Sequence, residues 1–512
     1  MRNVLIYENV ERKKNVYKEK VKNYLQENIK DYVEFFVFYL IVFAIMLNRH
    51  YSIDAYSYSR HYKTAYVGNL SLGRIGNYFV FGLFKNINIV THQRLFTVVF
   101  IFVLAVVSCM LYIHIKQHMQ RLQYNIILKM SIIIVFCNVF MMDFFVYIEM
   151  VFAWCCGMTL MALAVIQINH KMTVKNWIIM LLFMIMSLSF YQALIGFFVY
   201  FALIDVYALY SGKMTKQSFF DSFKVLFCGG FAGAFNILLL KILQKVGIAG
   251  TESRTESVGL QGMLANVRGI LAGIKSLFRD TSGFMPVHMV LIVLILLYIM
   301  ILVTLIRNRA SGGQYLYIIL LILSTRVVLY MPHMLASTVW MAPRSIISYW
   351  TIISMPCIIL LVLNENKLCQ YINGILLAVV LITNIINIQM ISESVIATNR
   401  LDEEITYMIQ TKIDNYQEET GQLVDTIIFR NDNAPCWKYR TVEFQRFELC
   451  ERIYNVPWGC VEAINFYNNK DYMFTSMDDD TFSTLFEKDN WDELNLNEQM
   501  VFQGNILYFV AY

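Results

Sequence analysis

Long apolar stretches alternate with short polar segments over the first 390 residues of the chain. A helix of about 17–25 apolar residues is long enough to cross the hydrocarbon core of a bilayer. The stretch 177–210 is longer than one such helix and has no charge before Asp205, so we divide it at residues 189–192. The pattern then predicts eleven membrane-spanning helices, near residues 33–48, 93–114, 126–142, 150–168, 177–189, 191–210, 224–243, 286–306, 314–331, 345–363 and 372–390.

The two ends of the chain follow other patterns. Residues 1–32 interleave apolar residues with lysines, which predicts a cytoplasmic amphipathic helix on an anionic membrane face, or else a plain solvated helix. Residues 391–512 alternate short strand-like runs with helical ones, which predicts a small α/β or α+β domain. The predicted fold is therefore an α-helical polytopic membrane protein with a transmembrane domain at residues 33–390 and a C-terminal domain at residues 391–512.

Composition supports this division. The chain has 512 residues, of which 58% are hydrophobic and 15% charged, whereas soluble globular proteins are about 45–50% apolar and about 25% charged. These values exclude a disordered protein, a basic nucleic-acid-binding domain and an ordinary cytosolic enzyme. Residues 1–390 contain 33 Lys and Arg against 15 Asp and Glu, whereas residues 391–512 contain 9 against 22. A basic, bilayer-embedded body therefore precedes an acidic, water-exposed domain.

Lysines and arginines of the short loops predict the orientation. Lys116, Lys171, Lys213, Arg307 and Lys367 all fall on the side of the basic N-terminus, and short basic loops face the cytoplasm. With eleven spans, the C-terminal domain is then extracytoplasmic. Longer outward segments cover 49–92, 244–285 and 332–344. Within them, 70–86 is predicted to lie in the membrane interface, and 244–285 is either a second interfacial element or a mobile lid.

Acidic residues of the body gather at the outward boundary. Asp54, in the sequence Tyr-Ser-Ile-Asp-Ala-Tyr-Ser-Tyr, suits a general base acting on an acceptor hydroxyl, although an Asp at this point could equally cap the next helix. Neighbouring tyrosines could stack on sugar rings. Asp143 and Glu149 share one short outward loop, where they could orient an acceptor or hold a divalent cation.

Cations complement these acids on the same face. Arg74 lies in the first outward segment, Arg326 interrupts an apolar run near the outer end of the ninth span, and His333 and Arg344 flank the next loop. An arginine fork matches phosphate geometry, although each arginine could instead extend toward lipid headgroups. Such a set suits an enzyme acting on a lipid-phosphate substrate whose tail stays in the bilayer.

Cysteine and histidine spacing gives little further chemistry. Cys436, Cys450 and Cys460 lie in the predicted outer domain, where one disulfide could form but none is required. His114 and His118 stand four residues apart at the cytoplasmic end of the second span, without the Glu of a His-Glu-x-x-His motif. We interpret the pair as interfacial, with a metal site as the alternative, and we predict no certain cofactor.

Three short motifs resemble a known family. They are Asp54 with Leu72-Gly-Arg74-Ile-Gly in the first outward segment, Ser189-Phe-Tyr191-Gln192 at an outward turn, and Pro343-Arg344 before a span. Together they resemble the type II glucosyltransferases, which modify bacterial O-antigens and cell-wall polysaccharides and belong to the GT-C group of multispanning glycosyltransferases. The resemblance extends over most of the chain.

The resemblance implies a GT-C-like catalytic domain in the bacterial cytoplasmic membrane, a polyprenyl-phosphate sugar as donor, usually undecaprenyl-phosphate glucose, and a cell-surface glycan as acceptor. An acidic residue in the first outer loop is the catalytic base of GT-C enzymes, and only Asp54 matches that position. Predicted acceptor or sugar contacts are Tyr56, Tyr58, Asp143, Glu149, Tyr191 and Gln192. Predicted contacts to the donor phosphate are Arg74, Arg326, His333 and Arg344.

Other membrane functions remain open at this point. A polysaccharide flippase or transporter, a glycan polymerase or ligase, and a scaffold that presents the acidic domain would all share the composition. Transporters generally have internal repeats and polar groups at the bilayer midplane. The sequence has no visible repeat and little midplane charge, which favours the glycosyltransferase.

Overall fold

The computed structural model describes residues 26–119, 124–170, 172–251, 258–279, 285–337, 339–442 and 449–512. Most of the amphipathic helix predicted for residues 1–32 therefore lies outside the described residues. The helices are α1 (26–43), α2 (Ile53–His61), α3 (Gly68–Ser71), α4 (Ile75–Leu83), α5 (Gln93–His118), α6 (Asn125–Phe136), α7 (Met142–Val146), α8 (Val151–Val165), α9 (Val174–Phe190), α10 (Leu194–Leu209), α11 (Lys216–Lys245), α12 (Leu260–Arg279), α13 (Met289–Arg307), α14 (Gly312–Leu335), α15 (Thr351–Leu363), α16 (Lys367–Thr420), α17 (Pro457–Asn468), α18 (Asp479–Leu485) and α19 (Leu496–Gln499). The strands are β1 (Thr426–Asn431), β2 (Met473–Ser476), β3 (Met500–Gln503) and β4 (Ile506–Ala511).

The structure is that of a membrane protein. Within the described ranges, seven helices are long and apolar enough to cross a bilayer: Gln93–His118, Asn125–Val146, Ile148–Val165, Lys216–Lys245, Met289–Arg307, Gly312–Leu335 and Lys367–Thr420. Shorter apolar helices occupy Val174–Phe190, Leu194–Leu209 and Ile347–Leu363. A break at residues 191–193 separates α9 from α10, where the sequence pattern placed a fold in the chain. The total of eleven spans stays a prediction.

Helix α10 forms the centre of the bundle. Every residue of α10 is buried, and it packs against α5, α8, α9, α11, α14 and α15. Peripheral helices expose apolar side chains instead. One face of α11 presents the exposed residues Phe219, Phe220, Phe223, Phe227, Phe231 and Phe235. A wholly apolar outer surface is stable in lipid and not in water, which explains the excess of hydrophobic residues.

Helix α16 joins the bundle to the C-terminal domain. It runs without interruption for 54 residues, which at 1.5 Å per residue is about 80 Å, far more than a bilayer core. Between Gly374 and Gly421 its sequence contains no proline or glycine, and the helix ends where Gly421 adopts a left-handed conformation. The domain boundary predicted at residue 391 therefore lies inside a continuous helix.

The C-terminal domain is a small α/β unit. Its described residues form one sheet in the order β2-β1-β4-β3, in which β1 pairs in parallel with β2 and β4, and β3 pairs antiparallel with β4. Helix α17 packs on β1, on α16 and on α2 of the first outward segment. Cys436, Cys450 and Cys460 are free thiols, so the described part of this domain has no disulfide.

Two helices lie where interfacial elements were predicted. Helix α4 exposes Phe79 and Leu83, and α12 exposes Leu260, Leu264 and Leu271. Helix α12 packs against α14, and the side-chain amide of its Asn266 donates to the backbone oxygen of residue 336, 2.7 Å away. Their apolar outer faces are compatible with lipid contact, and their interfacial position stays a prediction.

Candidate functional site

Two glycines bring the first outward segment onto α9. Gly73 has a φ of +70°, which turns the chain from α3 into α4 in a conformation that residues with a Cβ rarely adopt. Gly76 packs so closely that an added Cβ would lie 2.6 Å from the hydroxyl of Ser189 and 2.9 Å from the ring of Phe190. Arg74 lies between these glycines and is thereby placed beside the turn that follows α9.

The three sequence motifs meet at this turn. The side-chain amide of Gln192 donates to the backbone oxygen of Leu72 at 3.1 Å, and the hydroxyl of Tyr191 donates to the backbone oxygen of Arg344 at 2.9 Å. The guanidinium of Arg74 lies 5.1 Å from the centre of the Tyr191 ring, in a cation–π arrangement. Segments that are more than 100 residues apart in sequence therefore build one site.

Asp143 and Arg344 form the charged core of the site. Nη1 of Arg344 lies 3.0 and 3.1 Å from the two carboxylate oxygens of Asp143, and the backbone N–H of Arg344 donates to one of them at 2.9 Å. The Asp143 side chain is fully buried. The guanidinium also stacks between the rings of Tyr147 and Trp340, 4.0 and 4.5 Å from their centres. The cation is thus held in place before any substrate arrives.

A second acidic group lies beside this pair. The hydroxyl of Ser52 donates to Oε1 of the buried Glu149 at 2.7 Å. Asp54, in the first turn of α2, is exposed and interacts electrostatically with Glu149, as does Arg344. Burial, and then the charge of Glu149, raises the pKa of Tyr58 above its ordinary value. Asp54, Tyr58 and Glu149 therefore share one environment next to the arginine.

The C-terminal domain covers one of the predicted sugar contacts. Tyr56 is 1% exposed, its hydroxyl lies 3.2 Å from that of Tyr467, and its ring contacts Phe466. Tyr51 packs on the same α17 residues. The ring of Tyr56 thus packs on α17, and its role as a sugar contact stays a prediction. Tyr58 is half-buried and lies beside the acids.

The other predicted cations occupy different positions. His333 is buried, and its Nε2 lies 3.4 Å from the backbone oxygen of Ser345, the residue after Arg344. Arg326 lies about two turns earlier in α14, where it donates to the backbone oxygen of Tyr349 at 3.2 Å and to the hydroxyl of Thr351 at 2.7 Å. These contacts orient Arg326 toward the start of α15, so His333 is the nearer of the two to Arg344.

Metal binding by the two loop acids stays a prediction. Asp143 is engaged by Arg344, and one oxygen of Glu149 is engaged by Ser52. A divalent cation between the acids would have to compete with these partners.

Sequence reasoning missed three residues of this site. Tyr147 and Trp340 enclose the arginine, and Ser52 holds Glu149. Tyr147 had a local signal, because it stands four residues after Asp143 and thus near it on any helix. Trp340 stands at the same spacing, four residues before the Arg344 that it contacts. Ser52 had no local signal, because its contact with Glu149 joins segments 97 residues apart.

Comparison with known proteins supplies the family. Neither the curated proteins nor the solved structures include a match to this chain. The family model described as glucosyl transferase GtrII matches residues 43–361, which is more than half of the chain and includes every site residue described above. The chain therefore belongs to the glucosyl transferase GtrII family, and that membership implies a glycosyltransferase.

Proposed function

We propose that the protein transfers a hexosyl group, most simply glucosyl, from a polyprenyl-phosphate sugar to a cell-surface polysaccharide on the outer face of the bacterial cytoplasmic membrane. The observation that carries this proposal is the convergence of Asp54 and Glu149 with Arg74 and Arg344 at one end of the bundle. Carboxylates suit a hydroxyl acceptor, and arginines suit a phosphate leaving group.

Each residue has a defined part in the proposed inverting reaction. Asp54 takes the proton of an acceptor hydroxyl, whose oxygen then forms a bond to the anomeric carbon of the donor sugar. The bond from that carbon to the phosphate oxygen breaks, and its electron pair leaves with the polyprenyl phosphate. Arg74 and Arg344 stabilise the charge that develops on the phosphate, which is the form of catalysis that fixed cations provide best.

Exposure of Asp54 supports its role as the base. Asp143 is fully buried and engaged by Arg344, and Glu149 is buried against Ser52, whereas Asp54 is exposed in the same neighbourhood. An acceptor glycan must enter from water, so its hydroxyl meets Asp54 first. Tyr58 then lies one helical turn from Asp54, where a tyrosine face could pack on the acceptor sugar.

The test is a transfer assay in proteoliposomes. Purified protein is supplied with radiolabelled polyprenyl-phosphate glucose and acceptor polysaccharide, with other hexoses and N-acetylhexosamines in parallel. We expect Asp54→Asn to reduce transfer by roughly 10²–10⁴-fold, the range for a general base. Asp480→Asn is the matched control, because Asp480 is also an exposed acid in the first turn of a helix.

Two outcomes contradict the proposal. Full transfer by Asp54→Asn would exclude this residue as the base. Loss of label from the lipid without a new glycosidic product would indicate hydrolysis or transport in place of transfer.

We further propose that the N-terminus is cytoplasmic and the C-terminal domain extracytoplasmic. Its support is the packing of α17 on α2, which puts the C-terminal domain and the first outward segment at the same end of the bundle. An epitope added after Tyr512 should be accessible to antibody in spheroplasts without permeabilisation. Access only after permeabilisation would reverse the assignment.

A further inference from the structure

A second cluster of ionisable groups lies at the opposite end of the bundle from the candidate site. Helix α5 starts at Gln93 beside the first outward segment, and its 26 residues extend for about 39 Å. Its last turns carry His114 and His118, which face the buried helix α10. This cluster is therefore separate from the transfer reaction proposed above. The inference drawn from the cluster does not depend on that reaction.

Asp205 is the centre of the cluster. It stands near the end of α10, a helix buried along its whole length, and its side chain is fully buried. Oδ1 lies 2.7 Å from Nδ1 of His118, and Oδ2 lies 2.9 Å from Nε2 of His114. The histidines are four residues apart, so α5 presents both rings on one face. Lys116, between them in sequence, is directed away toward Asp31.

Contacts within the cluster leave ligand atoms available. Nε2 of His114 and Oδ2 of Asp205 form an ion-pair contact of 2.9 Å that is poorly aligned for a hydrogen bond, and neither atom makes another hydrogen bond within the described residues. Both atoms are shielded from solvent. A bound cation would satisfy both atoms and would compensate the buried carboxylate.

The spacing matches a metal site. One nitrogen from each histidine and one oxygen of Asp205 all lie within 4.8 Å of one another. Tetrahedral zinc, with ligand bonds of about 2.0–2.2 Å, separates its ligand atoms by roughly 3.3–3.6 Å. Small side-chain rotations would therefore bring the three atoms into position. A further imidazole is close, since the ring centre of His170 lies 6.1 Å from that of His118.

We propose that His114, His118 and Asp205 bind one divalent transition-metal ion, of the zinc class, that ties α5 to α10 at the end of the bundle remote from the sugar-transfer site. Two imidazoles and one carboxylate are a ligand set that suits zinc and its neighbours in the first transition row, and does not suit magnesium or calcium, which prefer oxygen ligands alone.

Metal content and cobalt spectroscopy test the proposal. The full chain is purified in detergent through an affinity tag without histidine, stripped with a chelator and titrated with Co²⁺. We expect one equivalent to bind with the visible d–d absorption of a tetrahedral site, and one equivalent of Zn²⁺ to displace it. Asp205→Asn and the His114→Gln/His118→Gln double variant should each lose this absorption. His92→Gln, which changes an exposed histidine at the other end of α5, should retain it.

The spectrum of the unaltered protein decides the question even if a variant fails to fold. A Co²⁺ spectrum that remains that of the hydrated ion would overturn the proposal. So would equal zinc content in the unaltered protein and in a monodisperse Asp205→Asn variant. In either case the three residues form a buried ion cluster without metal.

Discussion

The contact between Asp143 and Arg344 allows a stringent prediction, because it has both a structural role and a proposed role in binding the donor. Asp143 is fully buried, and the Arg344 side chain is 13% exposed. Removing one partner of a buried ion pair leaves the other charge uncompensated, which costs about 3–5 kcal/mol. The rings of Tyr147 and Trp340 still enclose the guanidinium, so we expect Asp143→Asn to cost about 3 kcal/mol, at the lower end of that range.

Removal of both charges should cost less than the two single changes together. In Asp143→Asn/Arg344→Gln neither member of the pair is left charged without the other, so we expect a coupling energy of about 2 kcal/mol, within the range for contacting residues. The measurement is the free energy of unfolding in mixed micelles with increasing dodecyl sulfate, followed by tryptophan fluorescence. The exposed pair Lys488–Glu498 is the control. Its double-variant cycle should show no measurable coupling, because water and salt screen it.

Activity separates the two roles of Arg344. If its guanidinium contacts the donor phosphate, the double variant recovers stability but not transfer, because no cation returns to that position. Coupling below about 0.5 kcal/mol, the usual limit of additivity, would refute the buried-pair reasoning. Recovery of transfer in the double variant would refute the phosphate contact.

Three further changes test how the site is held. Gly76→Ala should lower transfer about tenfold or more, because its Cβ would collide with α9 and displace Arg74. Gly82→Ala is the control in the same helix, because its added Cβ makes only ordinary contacts. Equal transfer activity of the two variants would contradict this prediction. Arg60→Gln should weaken docking of the C-terminal domain by about 1 kcal/mol, through loss of the 2.7 Å contact between Arg60 and Glu462. The same rate of limited proteolysis in this variant and in the unaltered protein would contradict the prediction. Burial raises the pKa of Asp402, beyond the spanning part of α16, to about 7, above its ordinary value in an unfolded chain. The stability that this raised pKa contributes is therefore complete below about pH 4 and is lost as the pH rises through about 7. Asp402→Asn should flatten this dependence of stability on pH in thermal unfolding scans.

The length of the apolar stretches was sufficient to locate the seven described helices that could cross a bilayer. Apolar stretches long enough to span a membrane have few alternatives, because lipid leaves no water to satisfy an irregular backbone. The break at residues 191–193 could be predicted from length alone. The continuation of α16 past the predicted boundary at residue 391 could not be predicted in this way. A change in composition marks where the surroundings become aqueous and not where the backbone ends a helix. The 54 residues of α16 cross that change without a residue that stops them.

The candidate site was predictable in its residue types and not in its pairings. Asp143, Arg74 and Arg344 stand out in sequence as rare charges in an apolar body. Their neighbours depend on close approaches between helices, such as Gly76 against α9, which no local pattern reveals. Tyr56 shows how a distant segment changes the surroundings of a residue. A tyrosine beside the predicted base has the chemistry of a sugar contact, yet its ring is taken by α17, which lies some 400 residues later in the chain.

Helix α2 explains why an exposed carboxylate could still be well positioned. At its start, Ser52 is bonded to Glu149, and the backbone of Tyr51 is held on both sides by the side-chain amide of Asn399, at 2.7 and 3.2 Å. At its end, Arg60 pairs with Glu462 of α17. Both ends are therefore fixed by other parts of the chain, while Asp54 faces solvent. A general base for an incoming glycan needs this combination, since the proton acceptor must be accessible and yet lose little freedom when the acceptor binds. In the proposed transfer the C-terminal domain therefore helps to position α2, because its helix α17 contacts the end of α2 that carries Arg60.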